Sequence, residues 1–240
     1  MTGGLGSQRV FATGITGGGK TDFLRRYFLR HQPRLLILDN TGEWPRKLEG
    51  CRGPYHGLDA TYRALRAVAG RRTWRVIATL SNEELAELTV RLLVPVPDIE
   101  RGYAFAVGGM GLVVDEVDLV VPGTQGSAEL RNLWQRGRHA RLSVYAATQR
   151  PSGVSKLVTS MCEWLVMLRL AELRDVAYME QRLGGELYAW AARHVFTQPY
   201  GALLYHVHRR TGWLIDKDGR MLDTKTPALY AGEESTDAAD

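Results

Sequence analysis

The run Gly14-Ile15-Thr16-Gly17-Gly18-Gly19-Lys20-Thr21 matches the phosphate-binding pattern G-x-x-x-x-G-K-[ST] at every fixed position. It constrains the fold because the pattern works only as a turn between a strand and a helix. Val10-Phe11-Ala12 leads in as an apolar strand, and residues 22–29 lead out as a helix. In that context the backbone N–H groups of residues 14–19 form a cradle for an anion, and the helix start adds partial positive charge. Glycines let the backbone approach phosphate oxygens without a Cβ in the way. Lys20 then reaches the outer phosphates, and the Thr21 hydroxyl ligates Mg²⁺.

A phosphate turn of this kind needs a parallel sheet around it, and the rest of the chain supplies the pattern. Short runs rich in Val, Ile and Leu fall at 9–13, 35–39, 76–80, 111–115, 142–148 and 164–170. Helical patterns lie between them at 21–31, 60–69, 82–94, 128–137 and 172–183. This alternation predicts an α/β fold with a mostly parallel central sheet and helices on both faces. The runs are continuous rather than alternating, so the strands are expected to be buried on both faces. Residues 201–208 and 211–216 read as an antiparallel hairpin at the sheet edge, turning at Arg209-Arg210. The pattern fades after Leu222, which predicts a core of 1–222 and a small, polar, acidic tail over 223–240.

A turn that holds phosphate does not by itself hydrolyse it. Leu112-Val113-Val114-Asp115-Glu116 adds an apolar strand ending in two carboxylates. Asp115 is placed to hold Mg²⁺ beside Thr21, and Glu116 to accept a proton from an attacking water or to orient it. The strand 142–148 ends in Thr148-Gln149. At the carboxyl edge of a parallel sheet that puts Gln149 beside the phosphate turn, within reach of water or the γ-phosphate.

In this order the motifs resemble the FtsK–HerA superfamily of P-loop ATPases, which pump nucleic acid. The resemblance rests on five segments: GITGGGKT; the stretch Leu35-Leu36-Ile37-Leu38-Asp39-Asn40-Thr41-Gly42-Glu43-Trp44; LVVDE; Arg136-Gly137-Arg138-His139; and Ala147-Thr148-Gln149-Arg150-Pro151-Ser152. It implies a RecA-like core using ATP and Mg²⁺, and assembly of identical subunits into a ring, often hexameric. ATP then sits at the subunit boundary, and an arginine finger comes from the neighbour. Arg138 is the preferred finger, with Arg136 and Arg141 as rivals. Lys20, Glu116, Gln149 and that arginine form the implied catalytic set. The implied partner is DNA, double-stranded and held without sequence preference through phosphates. The basic stretches 63–75 and 131–141 are candidate contacts.

The extra β-barrel, membrane spans and winged helix of larger relatives are not visible. What remains is similar to the small genome-packaging ATPases of membrane-containing icosahedral viruses. That likeness adds capsid or virion-vertex proteins as expected partners. Motors of phage assembly and export, plasmid transfer or HerA-like DNA repair are the alternatives, and a nucleotide kinase or ATP-gated docking subunit is a more distant one. A regulatory GTPase is disfavoured, because the chain has no Asn-Lys-x-Asp guanine reader.

Bulk properties agree with this reading without adding to it. The formal net charge is +5, and only five of the 31 basic residues are lysine. Arginine excess suits phosphate contacts. Cys51 and Cys162 have no metal-site spacing, and no apolar run is long enough to span a bilayer. A cytoplasmic protein, in a host cell or associated with a virion, is expected.

Overall fold

Among the described residues ten strands join in one sheet, whose apolar central strands can bury both faces only between layers of helices. The computed structural model describes residues 7–44, 48–93, 102–123 and 128–226. Its strands are β1 (Arg9–Thr13), β2 (Arg34–Leu38), β3 (Arg52–His56), β4 (Trp74–Thr79), β5 (Met110–Val114), β6 (Leu142–Thr148), β7 (Trp164–Leu168), β8 (Ala202–His206), β9 (Thr211–Ile215) and β10 (Met221–Lys225). They run in the order β10-β9-β8-β7-β1-β6-β5-β2-β4-β3. From β7 to β3 every pairing is parallel, whereas β7 to β10 pair antiparallel.

β1, β5 and β6 are buried at every position, which is why their sequences show no polar alternation. One face of the sheet is covered by helix α1 (Lys20–Tyr27), through Phe23 and Leu24, and by Phe28 and Leu29 just beyond it. The other face is covered by α2 (Leu58–Val68), α3 (Asn82–Leu93), a short turn of helix α4 (Tyr103–Ala106), and, after the turn α5 (Val117–Val120), by α6 (Ala128–Arg136). The later helices α7 (Lys156–Met161), α8 (Leu173–Leu183) and α9 (Gly185–His194) complete that layer. Among the described residues no helix is long and apolar enough to cross a membrane.

Two features differ from the sequence expectation. The hairpin β8–β9 is present, but it is not the edge of the sheet, because β10 pairs outside β9. β10 also carries the sheet to Lys225, across the boundary expected at 222; residues 227–240, most of the expected tail, lie outside the described residues.

The strand order decides what meets at the carboxyl edge. β6 lies between β1 and β5, with Thr13 level with Thr148 and Val114 level with Ala146. On the far side of β5, Leu38 is level with Val114. The segments that follow β1, β6, β5 and β2 therefore emerge side by side. They are the glycine-rich turn, Gln149, Asp115-Glu116 and Asp39–Trp44.

Candidate functional site

The turn after β1 is held by backbone bonds to both neighbouring strand ends. Gly14 N–H donates to the Thr148 carbonyl at 3.3 Å, and Ile15 N–H to the Arg169 carbonyl at 2.9 Å. Gly18 N–H closes the turn on the Ile15 carbonyl at 3.0 Å. Gly19 stands just before α1 with φ 99°, a left-handed conformation that strains any residue with a Cβ. Lys20 is buried, and its Nζ donates to the Gly14 carbonyl at 2.9 Å and the Ile15 carbonyl at 3.2 Å. The ammonium thus sits within the curl of the turn.

Across the sheet edge a line of side chains connects the strand ends. Thr16 Oγ1 donates to Gln149 Oε1. Gln149 Nε2 donates to Glu116 Oε1 at 2.7 Å. Gln149 thereby ties the glycine-rich turn to the carboxylate beyond β5. Glu116 has φ 50°, left-handed for a residue with a long side chain. That conformation turns the chain sharply from β5 into α5, and its N–H meets Asp115 Oδ1 at 3.2 Å. A residue held in such a region is a candidate for function rather than packing.

Asp115 is buried. Burial pushes its carboxyl above the ordinary carboxylate range, and Glu116 and Asp39 add to the rise. The Trp44 indole and Lys20 oppose it. Trp44 Nε1 donates to Asp115 Oδ2 at 3.0 Å. Trp44 is itself fully buried, and the loop before it is wound on Asp39. Asp39 Oδ1 accepts from Thr41 N–H, Thr41 Oγ1 and Gly42 N–H at 3.1, 3.0 and 2.8 Å, and Oδ2 accepts from Trp44 N–H at 3.1 Å. The resembling segment after β2 therefore has a physical task, which is to carry an indole N–H to the second oxygen of Asp115.

These groups line one open cavity of about 690 Å³, a size ordinary for a small-molecule site. Thr16, Gly17, Gly19, Lys20, Thr21, Asp115, Glu116 and Gln149 are all on its wall, joined by Glu43, Arg25, Arg26, Tyr200 and Lys217. Sequence reasoning missed Tyr200, whose one signal was its place in the Gln198-Pro199-Tyr200-Gly201 turn just before β8. Trp44, Trp74, Trp134 and Trp190 are all buried in the core.

Arg138 lies elsewhere. It belongs to the turn before β6, at the amino ends of β5 and β6, and so at the sheet edge opposite its own chain's cavity. Its guanidinium is mostly exposed and sits 3.9 Å from Glu163. Arg136 ends α6 just before that turn and Arg141 closes it, and both are exposed. None of the three lines the cavity of its own subunit.

No family model matches the sequence, and no curated protein matches it. Solved structures match in fold. The genome packaging NTPase B204 from Sulfolobus turreted icosahedral virus 2, in complex with ATP-gammaS, aligns with 87% of this chain and 96% of its own at 17% identity and a TM-score of 0.65. The same protein in complex with AMPPCP aligns with a TM-score of 0.66 over 86% and 96% of the two chains, again at 17% identity. B204 of Sulfolobus turreted icosahedral virus, a DNA-packaging ATPase, aligns over 90% of this chain and 98% of its own at 15% identity and a TM-score of 0.65. Strand order, glycine-rich turn and these alignments together give the chain a RecA-like P-loop NTPase fold.

Proposed function

We propose that this chain is an ATP hydrolase that translocates nucleic acid, packaging double-stranded DNA into a preformed capsid. The observation that carries the hydrolase reading is the line Thr16–Gln149–Glu116, which joins the phosphate turn to a carboxylate across the intervening strand. A passive phosphate holder has no use for a carboxylate fixed at that position. The packaging reading is supported by the fold shared with the viral NTPase over most of both chains.

In this reading the turn and Lys20 hold the β- and γ-phosphates, so that charge moving onto the leaving phosphate meets fixed positive groups. Glu116 takes the proton as water oxygen bonds to the γ-phosphorus and the bond to the bridging oxygen breaks. Gln149 keeps Glu116 aimed and links its position to Thr16.

The residues fit Mg²⁺. Among the described residues no cluster of three His, Cys, Asp or Glu side chains forms an all-protein cage. Mg²⁺ in such enzymes takes one carboxylate, a hydroxyl, waters and substrate oxygens instead. Thr21 and Asp115 share the cavity wall, and a divalent cation would offset the burial that now raises the Asp115 carboxyl. When bound, the ion would neutralise charge on the phosphates. Trp44→Phe leaves a smaller apolar ring in place of the indole and removes the N–H that orients Asp115. It is expected to raise the Mg²⁺ concentration for half-maximal hydrolysis about tenfold, read from a magnesium titration of turnover.

An arginine finger from a neighbour completes this site in a homo-oligomeric ring, with Arg138 preferred and Arg136 and Arg141 as rivals. Their place at the far edge of the sheet suits a contribution across a subunit boundary. Exposed Arg63, Arg66, Arg71, Arg72 and Arg131 offer phosphate contacts for DNA. The deciding measurement is ATP turnover with and without duplex DNA, with oligomer size followed in parallel. Turnover stimulated by duplex DNA in a ring is expected. A monomer indifferent to DNA would overturn the motor, and phosphate transfer to a nucleotide acceptor would make it a kinase.

A further inference from the structure

We infer that Tyr200 is the platform on which the base of the bound nucleotide stacks, and that the site takes a purine by its face. The inference rests on the phosphate-holding role proposed above for the turn.

Tyr200 is the one aromatic among the described residues lining the cavity, and it remains 55% exposed. Its backbone has φ 62°, a conformation unfavourable for a bulky residue, so the loop spends energy to hold this ring where it is. The following residue enforces the placement. A Cβ on Gly201 would lie 2.2 Å from the Val195 carbonyl, so only glycine lets the loop close against the end of α9. The ring itself lies against the phosphate turn. A Cβ on Gly19 would come within 2.6 Å of Tyr200 Cδ1, which means that the turn and the ring touch directly beside Lys20.

A nucleotide with its phosphates in the turn would therefore pass its sugar and base across this ring. The opposite wall, toward Asp115 and Glu116, is polar and belongs to the γ-phosphate side. Around Tyr200 the carboxylates are already engaged. Asp22 pairs with Arg25 and Arg26, and Asp216 Oδ1 accepts from the N–H groups of Asp218 and Arg220. Recognition there falls to the ring face, with exposed Lys217 at its margin. Face stacking tolerates different base edges and grows with ring area, which favours purines over pyrimidines.

The test separates base from phosphate by measuring binding of ATPγS, UTPγS and inorganic tripolyphosphate to the full chain with Mg²⁺ by calorimetry. In the unaltered chain ATPγS should bind several-fold more tightly than UTPγS. Tyr200→Ala should weaken ATPγS on the order of tenfold, erase the preference over UTPγS, and leave tripolyphosphate unchanged. Tyr200→Phe should behave as the unaltered chain. Equal losses for ATPγS and tripolyphosphate would mean that the ring acts by shaping Gly19, and no loss at all would mean that the base lies elsewhere; either result overturns the platform. Tripolyphosphate binding that ignores Lys20→Ala would instead refute the phosphate turn, and the platform with it. Alanine at 200 carries the same backbone strain as tyrosine, and the lost ring is half in solvent, so the fold should persist.

Discussion

Glu116→Gln should reduce ATP turnover by two to four orders of magnitude, as about 10²–10⁴ is the usual worth of a positioned general base, while ATP binding survives. The geometry makes this substitution informative. Glu116 Oε1 accepts from Gln149 Nε2 at 2.7 Å, and the carbonyl oxygen of a glutamine can accept the same bond. The left-handed backbone at 116 and the contact with Gln149 are therefore kept, and only the capacity to hold a proton is removed. Single-turnover hydrolysis and nucleotide binding measured on the same preparation separate the two effects. Loss of both together would indicate that the turn after β5 had rearranged. Full DNA-stimulated turnover would show that Glu116 is not the base.

That prediction depends on contacts between segments far apart in the chain, and they were unequally legible. The bounds of β1 and β6 follow from their apolar runs, because both are buried along their whole length and carry no competing signal. The neighbourhood of Gln149 and the phosphate turn was legible for a topological reason, since a parallel sheet sends the ends of its strands to one edge. The bond from Trp44 to Asp115 was not, because the segment after β2 is irregular and its path depends on how Asp39 gathers four donors. β3 and β10 escaped notice because they are largely exposed, and a strand that buries neither face has no hydrophobic period. α9 is a different case. Leu187, Trp190 and Ala191 stand at helical spacing and are buried, so its signal was present, obscured by the glycines at its start. Large rings gain most from the core, and Trp44, Trp74, Trp134 and Trp190 are all buried there. The smaller, strained and exposed Tyr200 was the one left at the cavity.

Lys20→Ala should abolish turnover through binding as well as chemistry. Lys20 is buried in the curl of the turn, so its charge is poorly screened, and a phosphate entering the turn meets it at close range. A fixed cation of this kind contributes about 10²–10³ in rate by stabilising developing charge, and further in affinity, because the turn's remaining donors are neutral N–H groups. Both kcat and nucleotide affinity should fall, in contrast to Glu116→Gln, where affinity holds. The fold should tolerate the change. The ammonium donates to two backbone carbonyls of the turn, but its burial carries a desolvation penalty that alanine relieves. The Asp115 carboxyl should respond in a definite direction. Lys20 now opposes the rise that burial imposes on it, so removing the lysine should raise it further. Thermal melting without nucleotide, binding of ATPγS, and steady-state turnover test the three parts separately. A variant that folds and binds ATPγS as the unaltered chain does would remove Lys20 from the phosphate site and leave the glycine-rich turn as structure alone.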